Sequence, residues 1–253
     1  MNLPSATSHR AEHELLLSVA GLNAWYGAAH ILHDVGLKVG RGEVVALMGR
    51  NGAGKSTTLK AIMGLLPQRQ GEVAFMGQGL QKRQAYEVAR LGLGYVPEDR
   101  RIFTDLTVME NLATGRQPDR TWPDGSPGLN WSLDAVFDLF PHLAGMRHRL
   151  AGSLSGGEQQ MLTVARTLMG NPFCLLLDEP SEGVAPLIVE QMADMILALK
   201  ARGASVLLSE QNIHFAQLVS DRAYVLEKGA IRYAGAMAEL AANDEVRSAY
   251  LAL

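Results

Sequence analysis

The segment that most constrains this chain is Gly49-Arg50-Asn51-Gly52-Ala53-Gly54-Lys55-Ser56, which satisfies G-x-x-x-x-G-K-[ST]. A chance match in a chain of 253 residues is roughly a one-in-a-hundred event at average glycine usage. Its setting is also the required one. Glu43 to Met48 (EVVALM) is a short apolar run of the kind a fully buried strand shows, and a helical pattern follows from about Gly54 to Leu66, stopped by Pro67. Glycines let backbone N–H groups close on phosphate oxygens, and a helix start adds about half a positive charge. Gly49, Arg50, Asn51, Gly52, Ala53, Gly54, Lys55, Ser56 and Thr57 are therefore the expected phosphate cradle. Lys55 reaches the β- and γ-phosphates, and the Ser56 hydroxyl is placed to ligate Mg²⁺.

A strand–loop–helix of this type needs a sheet to sit in, and the last third of the chain supplies the pattern. Phe173–Leu177, Ser205–Ser209 and Ala223–Leu226 read as strands, separated by helical Leu187–Ala201 and Gln211–Ser220. Such alternation predicts an α/β domain with a parallel sheet and helices on its faces. Leu15–Val19, Val35–Val39 and Gly71–Met76 add β-type runs before and after the loop, and residues 107–170 are mostly helical in pattern. They are interrupted by a turn-rich stretch, Gln117–Trp131, expected as a variable solvent loop or as a partner contact through Trp122 or Trp131. Residues 236–253 read as a helical tail, and Met1–Glu14 as a mobile one without signal-peptide character. No run approaches 18 apolar residues, so no bilayer span is expected. Length predicts one large domain or one with a sub-lobe, able to bury roughly 72% of its unfolded surface. A net charge of −3 offers no basic stripe for nucleic acid. The single cysteine, Cys174, excludes an intrachain disulfide and lies in an apolar run, where a buried structural thiol is expected.

Two further segments carry chemistry. Asp178-Glu179 closes the run Phe173–Leu177, at the strand edge where ligands bind in open α/β sheets. Asp178 there would hold the Mg²⁺ shell, and Glu179 would polarise an attacking water as general base. Leu154-Ser155-Gly156-Gly157-Glu158-Gln159 reads as a helix start, with Ser155 as cap and Glu158 completing a capping box. Met161, Val164, Ala165 and Leu168 then line one apolar face. The two glycines expose further N–H donors, so this is also a second anion site. His9 with His13, and His30 with His33, have no cysteine or carboxylate cluster beside them, and no metal site is expected there.

The LSGGE segment resembles the LSGGQ signature of the ATP-binding subunits of ABC transporters, and the resemblance runs over roughly residues 15 to 250. It implies a P-loop NTPase core of the ABC ATPase type: a parallel sheet, an antiparallel β subdomain, and a helical subdomain at about 98–154 within a single domain, 15–253. In that family the signature of one subunit faces the phosphate loop of another, with ATP between them. Ser155, Gly156, Gly157 and Glu158 would thus complete a site on an opposing subunit. Tyr26 matches the aromatic that stacks on adenine, against a plain strand-end tyrosine. Glu98 stands where the family has a glutamine and could ligate Mg²⁺ or orient water; Ala185 stands for an aspartate. Gln211 stands at the switch histidine, able to donate to the γ-phosphate but not to titrate, with His214 nearby. Glu179, Gln211 and Lys55 are the implied catalytic residues.

VPEDRRIF, LSGGEQQML, DEPSEGVAP and LLSEQN together look like the second ATP-binding subunit of branched-chain amino-acid importers, the LivF type, with urea and short-amide systems close by. The resemblance implies an ATPase using ATP and Mg²⁺, paired with a related but non-identical sister subunit of LivG type. It also implies two integral membrane permease subunits, cradled through residues 98–111 including Arg101 and Phe103, and an extracytoplasmic solute-binding protein acting indirectly. The location implied is cytoplasmic, peripheral on the inner face of the membrane. A soluble ABC ATPase without a permease, or an exporter-type subunit, are the other readings.

Overall fold

A computed structural model describes residues 14–251. The chain opens on a long antiparallel hairpin, β1 (Leu15–Tyr26) and β2 (Ala29–Gly40), then crosses to β3 (Val44–Met48) and α1 (Lys55–Ile62). β4 (Arg69–Phe75) returns to pair with β1, and the short β5 (Gln78–Gly79) completes a four-stranded antiparallel sheet ordered β2-β1-β4-β5. After α2 (Ala85–Arg90) and β6 (Leu93–Val96), α3 (Val108–Gly115), α4 (Leu133–Leu139), α5 (Pro141–Gly145) and α6 (Gly156–Leu168) make a helical lobe. The alternating stretch follows: β7 (Cys174–Asp178), α7 (Pro186–Ala201), β8 (Ser205–Glu210), α8 (Ile213–Val219) and β9 (Arg222–Glu227). β10 (Ala230–Ala236), α9 (Met237–Ala242) and α10 (Asp244–Tyr250) close the described chain.

The second sheet has six strands in the order β10-β9-β3-β8-β7-β6, parallel apart from the β9–β10 hairpin. Every residue of β3, β7 and β8 is buried, which is why these strands read as unbroken apolar runs rather than as alternation. Their two faces feed two cores. Leu175, Leu177, Val206 and Leu208 pack with α6, α7 and the helical lobe, whereas Leu176 and Leu207 pack with α1 and the antiparallel sheet. The sheet is thereby clamped between both lobes, and its C-terminal edge is left free to carry loops. Cys174 lies inside at 1% exposure, and burial pushes its thiol up to about 12, so it is inert packing, as expected.

The expected elements are present with shifted ends. Leu15–Val19 and Val35–Val39 are the cores of twelve-residue strands. Their register is broken by irregularities between Val19 and Leu22, which obscured the period. The first helix stops at Ile62 instead of Leu66, because Gly64 turns the chain before Pro67. α2, β5, β6 and β10 were not foreseen. β6 is only four residues long, and β10 is a half-exposed edge strand with no clean alternation. The turn that produces β10 has Lys228 and Gly229 at positive φ, the type I′ geometry of two-residue hairpins. The histidines His9 and His13, and all of the expected N-terminal tail except Glu14, lie outside the described residues.

The 117–131 segment is a largely exposed loop, as expected, but its two tryptophans turn inward. Trp131 is buried at 6% exposure in the helical core, and its backbone N–H donates to Asn171 Oδ1 at 2.7 Å. The Asn171 amide donates back to the carbonyls of Gln117 and Pro118. Trp122 packs on Phe173 with ring centroids 4.3 Å apart, under the Arg41 guanidinium. The segment therefore fastens the helical lobe to the sheet. Trp131→Ala should lower the unfolding free energy by ~3 kcal/mol or more in a urea titration. A loss below ~0.5 kcal/mol would be that of a surface loop.

Candidate functional site

The parallel register brings the ends of β3, β6, β7 and β8 to one edge of the sheet, and each is followed by a residue of interest: Gly49, Glu98, Asp178-Glu179 and Gln211. This carboxyl edge is where open α/β sheets place ligands. At Gly49 a side chain is impossible, since a Cβ would stand 2.4 Å from the Leu226 carbonyl oxygen. Gly54 caps α1 without any side-chain hydrogen bond, and the first turn holds no acid. The first helical bond runs from the Thr58 N–H to Gly54 O, so the N–H groups of Lys55, Ser56 and Thr57 meet no acceptor among the described residues. Arg50, Asn51 and Gly52 are exposed at the loop's tip, and Ala53 is buried. A helix start kept clear of anionic side chains is suited to an external anion.

Lys55 is 3% exposed, and its ammonium is fully engaged. Nζ donates to the carbonyls of Gly49 (2.7 Å) and Arg50 (3.1 Å) and pairs with Glu179 Oε1 at 3.0 Å. The phosphate loop and the expected general base are thus joined across the sheet edge. Glu179 sits at φ 46°, a left-handed conformation uncommon for a residue with a Cβ. Its N–H donates to both the carbonyl and Oγ of Ser209, at 3.1 Å each. Its second oxygen, Oε2, is buried with no hydrogen-bond partner. Burial, then the neighbouring Glu182, pushes its carboxyl up to about 7 against the opposing pull of Lys55. Asp178, 1% exposed, accepts from Ser209 Oγ (2.7 Å) and from the Tyr95 hydroxyl (3.0 Å). Burial and the Asp178 carboxylate raise the Tyr95 phenol far above its ordinary value, so it stays a donor.

The second expected anion site is built differently. Ser155 caps α6: its Oγ accepts the Glu158 N–H at 3.3 Å, and Glu158 Oε2 accepts the Ser155 N–H at 2.7 Å. That bond holds the Glu158 carboxyl below its usual range, so the group is an acceptor serving the cap. A Cβ at Gly157 would crowd Ile188 at 2.6 Å, whereas one at Gly156 would meet only the movable guanidinium end of Arg100 at 2.7 Å. No hydrogen bond or ion pair joins residues 155–158 to residues 49–57 among the described residues. The glycine-rich starts of α1 and α6 are therefore separate within one chain, and only that of α1 is free of an acidic side chain in its first turn.

Tyr26 is half-exposed at the end of β1, and Glu98 is exposed beyond β6. His30 stacks on Trp25 with centroids 4.4 Å apart, His33 lies against His30, and His214 is exposed. Among the described residues no group of three or more His, Cys, Asp or Glu side chains is placed to hold a metal ion. Tyr95 and Ser209, which bond Asp178 and Glu179 from neighbouring strands, were missed because spacing along the chain does not reveal strand order; Glu182, three residues after Glu179 in the following turn, was missed as well.

Residues 32–182 match the family model described as ABC transporter. Over 236 residues the chain is 42% identical to the high-affinity branched-chain amino acid transport ATP-binding protein BraG of Pseudomonas aeruginosa, covering 93% of this chain and 99% of that protein. It is 36% identical over 231 residues to the probable branched-chain amino acid transport ATP-binding protein LivF of Archaeoglobus fulgidus (91% and 96% covered). It is 33% identical over 237 residues to the lipopolysaccharide export system ATP-binding protein LptB of Haemophilus influenzae (93% and 97%). A solved nucleotide-free ATP-binding cassette from an ABC transporter superposes with a TM-score of 0.76 at 26% identity, covering 92% of this chain and 97% of that one.

The Lys55–Glu179 pair generates a test that needs no ligand. Lys55→Met strands a buried carboxylate and should cost ~3 kcal/mol of stability at pH 8. The deficit should shrink as the pH falls toward about 7 and level off below it, because without the ammonium Glu179 takes up its proton at a higher pH than in the parent. Urea titrations at both pH values check this; a deficit independent of pH would contradict the pairing.

Proposed function

Since this chain belongs to the ABC transporter family, whose ATP-binding subunits are ATPases, we propose that it binds ATP on residues 49–57 and hydrolyses it with Glu179 as general base. The observation that carries this reading is the buried Lys55–Glu179 pair, which sets the phosphate-binding cation and the base 3.0 Å apart at the sheet edge. Tyr26, exposed at the end of β1, stacks on the adenine ring. The free N–H groups of Lys55, Ser56 and Thr57 take the phosphate oxygens.

The residues present also suit Mg²⁺. Asp178 accepts from two hydroxyl donors, Glu179 Oε2 is a buried oxygen without a partner, and the Ser56 side chain makes no hydrogen bond among the described residues. Ser56 and Asp178 would hold the ion, with Glu98 beyond β6 as an additional oxygen ligand. When bound, the ion supplies charge neutralisation for the β- and γ-phosphates. As the terminal phosphate enters, Lys55 exchanges a carboxylate partner for phosphate oxygens, and Glu179 is released to face the attacking water. The water oxygen bonds to the γ-phosphorus, the bond to the bridging oxygen breaks, and Glu179 accepts the proton. Gln211 donates to the γ-phosphate.

A second subunit completes the site. Its segment matching Ser155–Gly157 offers the N–H groups and hydroxyl that one phosphate loop cannot supply on the outer side of the γ-phosphate. We assign this partner as a related, non-identical ATPase, and place the pair on the inner face of the membrane against two permease subunits. A groove of about 550 Å³ between the lobes, lined by Tyr86, Arg101, Phe103 and Arg166, suits a permease's cytoplasmic helix. No helix among the described residues is long and apolar enough to cross a membrane. Branched-chain amino acids, delivered by an extracytoplasmic binding protein, are the proposed cargo, on the likeness to proteins so described in two organisms. The 33% identity to a lipopolysaccharide export subunit supports the second reading, an exporter-type subunit on the same ATPase core.

Two measurements test this. kcat/KM for ATP should fall about tenfold per pH unit below about 7, because the free enzyme's Glu179 must be ionised to act as base; a flat profile from pH 6 to 8 would assign the base elsewhere. Glu179→Gln, mixed with its sister ATPase and Mg-ATP, should elute as a stable dimer on size exclusion. Monomers at all ATP concentrations would contradict the shared site.

A further inference from the structure

Two loops meet at one buried carboxylate that the mechanism has not used, on a residue whose backbone also bonds the phosphate loop. Glu210, the last residue of β8, is 2% exposed. Its backbone carbonyl accepts the N–H of Gly49, the first residue of the phosphate loop, at 3.2 Å. Its Oε2 accepts the N–H groups of Gln211 (3.1 Å) and Asn212 (3.0 Å) in the loop after β8. Its Oε1 accepts the N–H of Ser181 at 3.2 Å, in the loop that follows Glu179.

Removing a carboxylate from water costs several kcal/mol unless its oxygens are well satisfied. Local needs do not explain that outlay. The turn after β8 is served by one oxygen, and Asn212 caps α8 by itself, its Oδ1 accepting the Phe215 N–H. The other oxygen reaches across to Ser181, 29 residues away in the chain. Both bonds come from a single planar group that is packed on all sides. A displacement of the Gln211 backbone must therefore move the Ser181 backbone, or break a bond to a buried charge.

We propose that Glu210 is a positioning residue which makes the loop after β8 and the 180–186 loop move as one unit. The presence of a terminal phosphate at Gln211 is thereby passed to the surface that meets the second subunit. This rests on the reading above, in which Gln211 touches the γ-phosphate and residues 180–186 border the facing ATPase. Chemistry favours a carboxylate here over its neutral isostere. All three partners are N–H donors, and an amide would turn an NH₂ group against one set of them.

The test uses the full chain carrying Glu179→Gln, so that ATP persists, and follows amide hydrogen exchange in residues 180–186 with Mg-ATP and with Mg-ADP. The parent should show at least about fivefold slower exchange with ATP than with ADP. Adding Glu210→Gln should bring the two within about twofold while nucleotide affinity changes less than about threefold. An ATP–ADP difference that survives both Glu210→Gln and Glu210→Ala overturns the proposal. So does a lowered Tm with weakened binding of both nucleotides alike, which marks a merely structural carboxylate. A parent that binds no ATP contradicts the proposed function itself, and is read separately by nucleotide titration of the parent alone.

Discussion

An ammonium group that is 3% exposed must be surrounded by acceptors in every state the molecule visits. In this chain Lys55 meets that requirement with two carbonyls of its own loop and one carboxylate from the neighbouring strand end. The consequences spread outward. The loop must curl so that Gly49 and Arg50 present their carbonyls inward, which forces Gly49 against the Leu226 backbone and excludes any side chain there. Glu179 must turn back over the sheet edge, which it does at positive φ, fixed by two bonds to Ser209. The resting site is therefore a closed ion pair, and an incoming phosphate competes with Glu179 for the same cation.

That competition links binding to chemistry. In the proposed reaction, a phosphate that draws Lys55 away would free Glu179, with one oxygen already unpartnered, to face the attacking water. A carboxylate placed so, with its proton affinity raised toward neutrality, is suited to accept a proton from water. The proposed shared site would also account for two glycine-rich helix starts that do not meet within one chain. A terminal phosphate seated on α1 has an outer side that the chain's own loop does not cover. In the proposed pairing, the start of α6, glycine-rich and capped by Ser155, would supply that cover to a facing subunit.

Much of this was legible in the sequence, for identifiable reasons. The phosphate loop and Asp178-Glu179 each follow a strand buried on both faces, so an apolar run marks the strand and the first polar residues mark the sheet edge. The Ser155–Glu158 capping box is local and was read directly. The groups that tune the site were not legible. Tyr95 and Ser209 act on Asp178 from adjacent strands, and Glu210 bonds a loop 29 residues distant. Such contacts follow from strand order, which periodicity does not encode. The inward packing of Trp131 and Trp122 was not legible for a related reason: a stretch rich in proline and glycine has the composition of a solvent loop, yet Trp131 is a core residue bonded to Asn171 and Trp122 lies half-buried under Arg41.

The central claim is that this chain builds half of an ATP pocket and that a facing ATPase closes it. The most direct measurement is a structure of the assembled transporter carrying Glu179→Gln with Mg-ATP bound. The Ser155 hydroxyl and the N–H groups of Gly156 and Gly157 should lie within about 3 Å of γ-phosphate oxygens held by the other subunit, with Lys55 moved from Glu179 onto the phosphates of its own ATP. A γ-phosphate enclosed by residues 49–57 of one chain alone, with residues 155–157 turned to solvent, would contradict the account.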